Sequence, residues 1–505
     1  MKPAGYLGLD VGGTGAKAGV VDGRGRLLKS AHRPYQPSLT PEGHVEIPME
    51  SIYAAAREAT VAAIRESGAR IVALSISSQG QTFVSLNEGD EPLHRAIVWY
   101  DARAAEQAKR LQLALEATGF YEPLPEVTPI ATVPKIMWLR EHHPALMAQA
   151  RRFLLLPDYF AYRLTGRAVT DPCTASSTGV YAEDAPDYCA AALDVAQLTK
   201  AQIAEIQLPG QPIGHVLPKM AGDWGLNPDT LVVAGTNDQY AGALGAGNCR
   251  PGIVSVTTGT CLSLVTLTEH LPDPLPRGLW GGRFPIARYQ FALAFAKTAG
   301  VVLEWFNREL SPNESLRELD HLAAGVPVGS RGVVVLPHFD GMVSPAPDPG
   351  ARGAFLNLSL HHTRADLYHA ILESLGFSLR ENIELLQRSG FHPDVIRAIG
   401  GAAKSDYLMQ MNADITGAPI ERPVVTEAAV LGAAMIAAVG AGTFATLEEC
   451  SEALYKRERV FAPEPRNHTL YEELYRRYVE LYRQVYRHPQ TAAQPDGQAD
   501  GRIPG

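Results

Sequence analysis

Asp10 lies in the run YLGLDVGGTGAKAGVVD, Tyr6 to Asp22, just before a turn holding Gly12, Gly13, Thr14, Gly15 and Lys17. Glycines let backbone amides approach an anion closely, because no Cβ intervenes. A carboxylate beside that turn repels phosphate unless a cation lies between them. A magnesium ion reconciles the two, held by Asp10 directly or through water and facing nucleotide phosphates. A glycine hairpin with a capping aspartate accounts for the same residues without a ligand. A second acid, Asp238, stands with Gln239 in VVAGTNDQYAGALGAG, where a strand gives way to a small-residue helix. A carboxylate at such a junction reaches a cleft and can take the proton of a hydroxyl that attacks phosphorus. Asn237 or Asp238 also suits a helix N-cap. In VTTGT, Thr257, Thr258, Gly259 and Thr260 offer hydroxyls and amides to phosphate oxygens. Gly400 and Gly401 leave a strand and enter a helix, a flat approach on which an adenine ring can lie.

Two common nucleotide motifs do not fit the opening run. A P-loop needs Gly-Lys-Ser/Thr, whereas Lys17 is flanked by Ala16 and Ala18. A dinucleotide fingerprint needs its third glycine one place before Gly19, followed by a helix. What remains is a β-hairpin, with strands at Tyr6–Leu9 and Ala18–Val21.

The surrounding elements must hold these residues in place. MESIYAAAREATVAAIRESG reads as a helix with Ile52, Ala55, Ala56, Ala59 and Ala63 on one face, stopped by Gly68. RIVALSIS reads as a buried strand, so strands and helices alternate and the class is α/β. The strand–turn–strand theme recurs at Gly252–Leu267, which points to two domains built alike. Leu470–His488 reads as a packing helix through Leu474, Tyr475, Tyr478, Tyr482 and Val485. The Pro- and Gly-containing polar residues after it, 488–505, are expected to form a disordered tail.

A chain of 505 residues holds two or more domains. A net charge of −9 argues against a nucleic-acid groove. The five cysteines include no CxxC pair, so buried thiols in a reducing cytosol are expected. No secretory leader is evident, and the apolar run Ala428–Gly440 is short and broken by glycine, so it reads as a buried helix with no membrane role. His142–His143 and His361–His362 are adjacent pairs, not a metal-ligand set at helical spacing.

In this order, the motifs resemble the FGGY carbohydrate kinases of the actin-like ATPase superfamily, from about residue 5 to residue 487. Asp10, Gly12, Gly13, Thr14 and Lys17 resemble the first phosphate motif, and Thr257–Thr260 the second. Gly400, Gly401, Ala402 and Ser405 resemble the adenosine motif. Two longer stretches are more specific. TVPKIMWLREHH carries Lys135, Trp138, Leu139 and Glu141 of one family signature. Gly353–Ser374 is similar to the other and ends in Glu373, with Asn357 where a glycine is usual.

The resemblance implies two ribonuclease H-like domains flanking a central cleft. Residues 1–246 would take the sugar, and 247–487 the nucleotide. It implies transfer of the γ-phosphoryl group of ATP to a sugar or polyol hydroxyl, with Asp238 as general base and Asp10 organising Mg²⁺. Gln79, Gln81, Trp99, Asp101, Arg103 and Gln239 are the acceptor candidates; an ion pair with a nearby acid is the other reading of Arg103. Xylulokinases usually carry Gln-Met-His-Gly where this chain has Gln79-Gly80-Gln81-Thr82, and glycerol kinases carry Gln-Arg-Glu-Thr. The loop Gly341–Gly353 also lacks the Glu-Arg of xylulokinases, while Asp238-Gln239 resembles the glycerol kinase pair. Length and layout favour the xylulokinase-like branch. D-xylulose leads the expected acceptors, ahead of other ketoses, glycerol, tetritols and pentitols. The resemblance leaves a homodimer open. The rival classes are an actin- or Hsp70-like ATPase without an acceptor and a silent sugar sensor on the same fold.

Overall fold

The structure is a computed structural model that describes residues 2–117, 127–182, 187–259 and 261–486. Thr260 and the expected tail, 488–505, lie outside the described residues.

The first sheet is built from β1 (Ala4–Val11), β2 (Gly15–Val21), β3 (Leu27–Pro34), β4 (Arg70–Ser78), β5 (Pro212–His215) and β6 (Leu231–Asn237). Their order is β5-β6-β4-β1-β2-β3. The β1–β2 and β2–β3 pairs are antiparallel, β1–β4 and β4–β6 are parallel, and β5 closes the edge antiparallel to β6.

The second sheet repeats this pattern. It comprises β7 (Ile253–Thr258), β8 (Leu262–Thr268), β9 (Leu279–Arg283), β10 (Gln290–Ala296), β11 (Val395–Ile399), β12 (Ile420–Pro423) and β13 (Arg457–Phe461), in the order β9-β10-β8-β7-β11-β12-β13. Again the opening hairpin β7–β8 and the pair β8–β10 are antiparallel, β7–β11 and β11–β12 are parallel, and β13 closes antiparallel to β12. The theme seen at Gly252–Leu267 is therefore the start of a whole second copy of the topology, with β9 added at one edge.

Local sequence explains the main elements. Helix α1 (Met49–Ser67) buries Ile52, Ala55, Ala56, Ala59 and Ala63 and ends where Gly68 takes φ +65°. The apolar run becomes α3 (Ala428–Gly440), which packs between the first sheet and α2 (Asp238–Gly245). Small residues let these backbones meet: a Cβ on Gly432 would lie 1.8 Å from the Ala241 carbonyl oxygen, and one on Gly8 would lie 2.0 Å from that of Val430. A Gly432→Ala substitution is therefore expected to lower stability by about 1–3 kcal/mol or more, because backbone rather than a side chain must give way. A thermal melt at the wild-type midpoint would contradict that packing.

The last described helix, α4 (Pro465–Val485), starts earlier than its apolar spacing indicated. Tyr471 joins Tyr475 and Tyr478 in the core around Phe377, whereas Val485 is exposed. Among the described residues, no helix is long and apolar enough to cross a membrane.

Candidate active site

Asp10 sits near the end of β1, in register with Lys17 on β2 and Ser77 on β4. Ser77 Oγ donates to Asp10 Oδ1 at 3.0 Å. Burial raises the Asp10 pKa, while the Lys17 charge and the Ser77 bond pull it down. Asp238 is the first residue of α2. The cap itself is Asn237, whose Oδ1 accepts from the Gln239 amide at 2.9 Å. The Asp238 carboxylate therefore does not serve as the cap. Its pKa is pushed up to about 7, first by burial and then by the charge of Asp10. Both acids also act on the Tyr35 phenol, which is raised by burial, then by Asp10, then by Asp238. The strand register brings the two acids near each other: Ser77 pairs with Asp10 on one side and with Thr236, two residues before Asp238, on the other. Tyr35 donates to the Gly12 carbonyl and steadies the hairpin tip.

Glycine turns follow strand ends in both halves: Gly12 and Gly13 after β1, Gly259 after β7, and Gly400 and Gly401 after β11. The first turn is closed by the Gly12 amide on the Gly15 carbonyl at 3.0 Å, and Thr14 is exposed at its tip. A Cβ on Gly13 would approach only Gln79 Oε1, at 3.4 Å. At Gly259 and Gly401 a Cβ would meet nothing within 4 Å. Gly400, at φ +86°, brings its backbone against the carbonyl of the buried Thr258, so the second phosphate motif and the adenosine motif are neighbours.

A further contributor is Gly300, whose amide donates to the Gly259 carbonyl at 2.8 Å at the start of the Gly300–Leu310 helix. A Cβ there would stand 2.3 Å from that oxygen. Ala402 opens a short 3-10 turn, and Ser405 caps the following helix. The Ser405 hydroxyl is engaged with Asp320 at 2.6 Å.

On the acceptor side, Gln79 is buried, and its Nε2 donates to the Gly12 carbonyl at 3.3 Å. Among the described residues, Gln79 Oε1 and Gln239 Oε1 are buried without a hydrogen-bond partner. Gln81 is half-buried, and its backbone carbonyl accepts from Thr132 at 3.1 Å. Trp99 stands edge-on to Phe295 of the second sheet, centroids 6.4 Å apart, so this wall joins the two halves.

Asp101 and Arg103 take the ion-pair alternative. Arg103 bonds both oxygens of Asp101 and Glu46 Oε1 at 2.9 Å, and its guanidinium lies over Trp138 at 5.0 Å. The Val45 amide adds a bond to Asp101 Oδ2 at 2.6 Å. This pair shapes the loop, with its polar atoms turned to protein groups.

The signature residues brace the same regions. Lys135 is fully buried, and its Nζ donates to the Val98 and Trp99 carbonyls, each at 2.9 Å. Burial lowers its pKa to about 7. Lys135→Met leaves both carbonyls without that donor, so the Trp99 loop loosens. The expected result is a higher acceptor KM, by about tenfold, with ATP affinity kept; an unchanged acceptor KM would contradict the bracing role. Glu373 accepts from the Gly329 amide at 2.7 Å and from Ser330 Oγ at 2.6 Å. Asn357 takes φ +62°, which explains the family's usual glycine: the site needs a left-handed residue, and asparagine is one of the few others that adopt it.

Two sheets of like topology, with acids and glycine turns at their strand ends, define an actin-like fold. The chain belongs to the FGGY family of carbohydrate kinases: the family's N-terminal domain model matches residues 5–245 and its C-terminal domain model residues 253–441. It is thus a sugar phosphotransferase that uses ATP. The chain is 29% identical over 479 residues to a xylulose kinase of Staphylococcus epidermidis, covering 94% of this chain and 95% of that one. It is 28% identical over 490 residues to an autoinducer-2 kinase of Escherichia coli, covering 92% of each. A solved xylulose kinase structure from Lactobacillus acidophilus superposes with a TM-score of 0.84 at 25% identity, covering 95% of this chain and 98% of that one.

Proposed function

We propose that this enzyme phosphorylates a hydroxyl of a ketopentose such as D-xylulose, with Asp238 as general base. The observation that carries this reading is the register that ties the two acids together: Ser77, which bonds Asp10, pairs with Thr236, two residues before Asp238, and the charge of Asp10 adds to the burial that raises Asp238. A base is most effective when its pKa lies near the working pH, and burial beside Asp10 brings Asp238 there. Gln79 Oε1 and Gln239 Oε1 are acceptors suited to sugar hydroxyl donors. The likeness to xylulose kinases supports a ketopentose over a polyol.

The nucleotide side of this reading is residues 247–487, with the amides of Gly259 and Gly401 as phosphate contacts, Gly400 beside the adenine, and the Gly13 amide reaching the phosphates from the first half. Lys17, Thr14 and Thr258 complete it. Among the described residues, no group of three or more His, Cys, Asp or Glu could cage a metal. Magnesium does not need one, since one or two carboxylates with phosphate oxygens and water suffice. The paired acids fit such an ion, with Asp10 holding it directly or through water. When bound, it would offset charge on the phosphates. Asp238 takes the proton of the attacking hydroxyl, and closure of the two halves excludes water that would otherwise accept the phosphoryl group. The reading places the enzyme in the cytoplasm, where ATP is at hand.

The test is ADP release by the pure protein with Mg²⁺ and ATP against a panel of ketoses, polyols and glycerol. D-xylulose is expected to give the highest kcat/KM. A different leading sugar would replace the acceptor and keep the reaction, and ATP hydrolysis indifferent to every sugar would remove the kinase reading.

A further inference from the structure

We infer that Asp171 is a positioning residue, which fixes Asp238 against the acceptor loop through Thr236 and the helical turns Pro172–Ala175 and Ser176–Thr178. The inference rests on the reading of Asp238 as the base.

Thr236 lies on β6, two residues before Asp238. The β6–β4 register slips between Val233 and Thr236, and a Cβ on Gly235 would lie 1.8 Å from the Ile76 carbonyl oxygen. The ladder is therefore broken before Thr236 and resumes at Thr236 and Asn237, and a side-chain hold beside the break keeps these last residues in place. Asp171 supplies it. Its Oδ1 accepts from Thr236 Oγ1 at 2.9 Å, from the Cys173 amide at 3.0 Å and from the Thr174 amide at 3.3 Å. Asp171 is 3% exposed and Thr236 1% exposed, so water does not compete strongly for these bonds.

The turns capped by Asp171 carry Ser177 to the acceptor loop. Ser177 Oγ and Asn237 Nδ2 lie 3.2 Å and 2.7 Å from the position a Cβ would occupy on Gly80. One carboxylate oxygen thus joins the strand that leads into the base to the turn that abuts Gly80 of the acceptor loop. On the other side of Thr236 its register partner is Ser77, which bonds Asp10.

All three bonds end on the same oxygen, and an asparagine offers an equivalent acceptor. The test measures kcat, sugar KM and ATP affinity, with kcat normalised to nucleotide-binding sites so that misfolded protein does not count. Thr236→Val keeps shape and removes the hydroxyl. It is expected to lower kcat by about tenfold or more with ATP affinity kept, because a small misplacement of a reacting group is costly. Thr236→Ser is expected to restore kcat. A Val variant that loses less than this, or a Ser variant that fails to restore turnover, overturns the inference. Should the Val variant not fold, Asp171→Asn is expected to hold kcat and Asp171→Ala to lose it; equal turnover in those two also overturns it. Asp238→Asn separates the two levels: wild-type turnover there removes the base reading itself, whereas an inactive Asp238→Asn beside a fully active Thr236→Val removes only the role of Asp171.

Discussion

Asp238→Asn is expected to leave nucleotide affinity nearly intact and to cut kcat by about 10²–10⁴, the range for a positioned base. The substitution keeps the side chain's shape at the first position of α2. It also keeps the cap, because Asn237 makes that bond. What it removes is a group whose pKa stands near neutrality because it is buried and faces Asp10. A loss confined to kcat would mark an interaction needed only as the hydroxyl attacks. A rise in ATP Kd of similar size would instead mean that Asp238 acts on the nucleotide. Wild-type turnover would take Asp238 out of the chemistry.

The second large effect is expected at Asp10. Asp10→Ala should raise the Mg²⁺ concentration for half-maximal activity by about 10–100-fold, the usual result of removing a group that holds a metal or its water. Lys17 then faces the turn without its partner across the β1–β2 pair. Phosphate contact through the glycine amides remains, so excess magnesium should recover part of the turnover. An unchanged magnesium titration would exclude Asp10 from that role.

Much of this site could be read from the chain alone. The hairpin, α1, the buried β4 and the second strand–turn–strand copy all carry local signals: glycine punctuation, periodicity and β-branched runs. Asp10 is legible because an acid beside a glycine turn is chemically odd, and Asp238 because a carboxylate at a strand–helix junction can reach a cleft. Ser77 and Tyr35 carried no such signal. Ser77 matters only because β4 lies parallel to β1, and Tyr35 because its chain returns to Gly12; both are facts of long-range pairing. Arg103 had two sequence readings, and a buried acid two residues away gave the ion pair. Gly300 was missed because its value is a close approach to Gly259, which no spacing encodes. The acceptor was least legible, since Gln79, Gln81 and Gln239 are common residues whose meaning depends on which atoms stay free.

The most direct test of the shared acid pair is the pH dependence of kcat/KM with both substrates well below saturation, from about pH 5.5 to about pH 8.5. Under these conditions the profile reports the free enzyme. A base with its pKa raised to about 7 is increasingly protonated as the pH falls, so kcat/KM should drop below neutrality. Asp10→Asn removes the charge that helps to raise it, so the limb should move to lower pH. A wild-type profile flat through neutrality, or a limb unmoved by Asp10→Asn, would contradict the account.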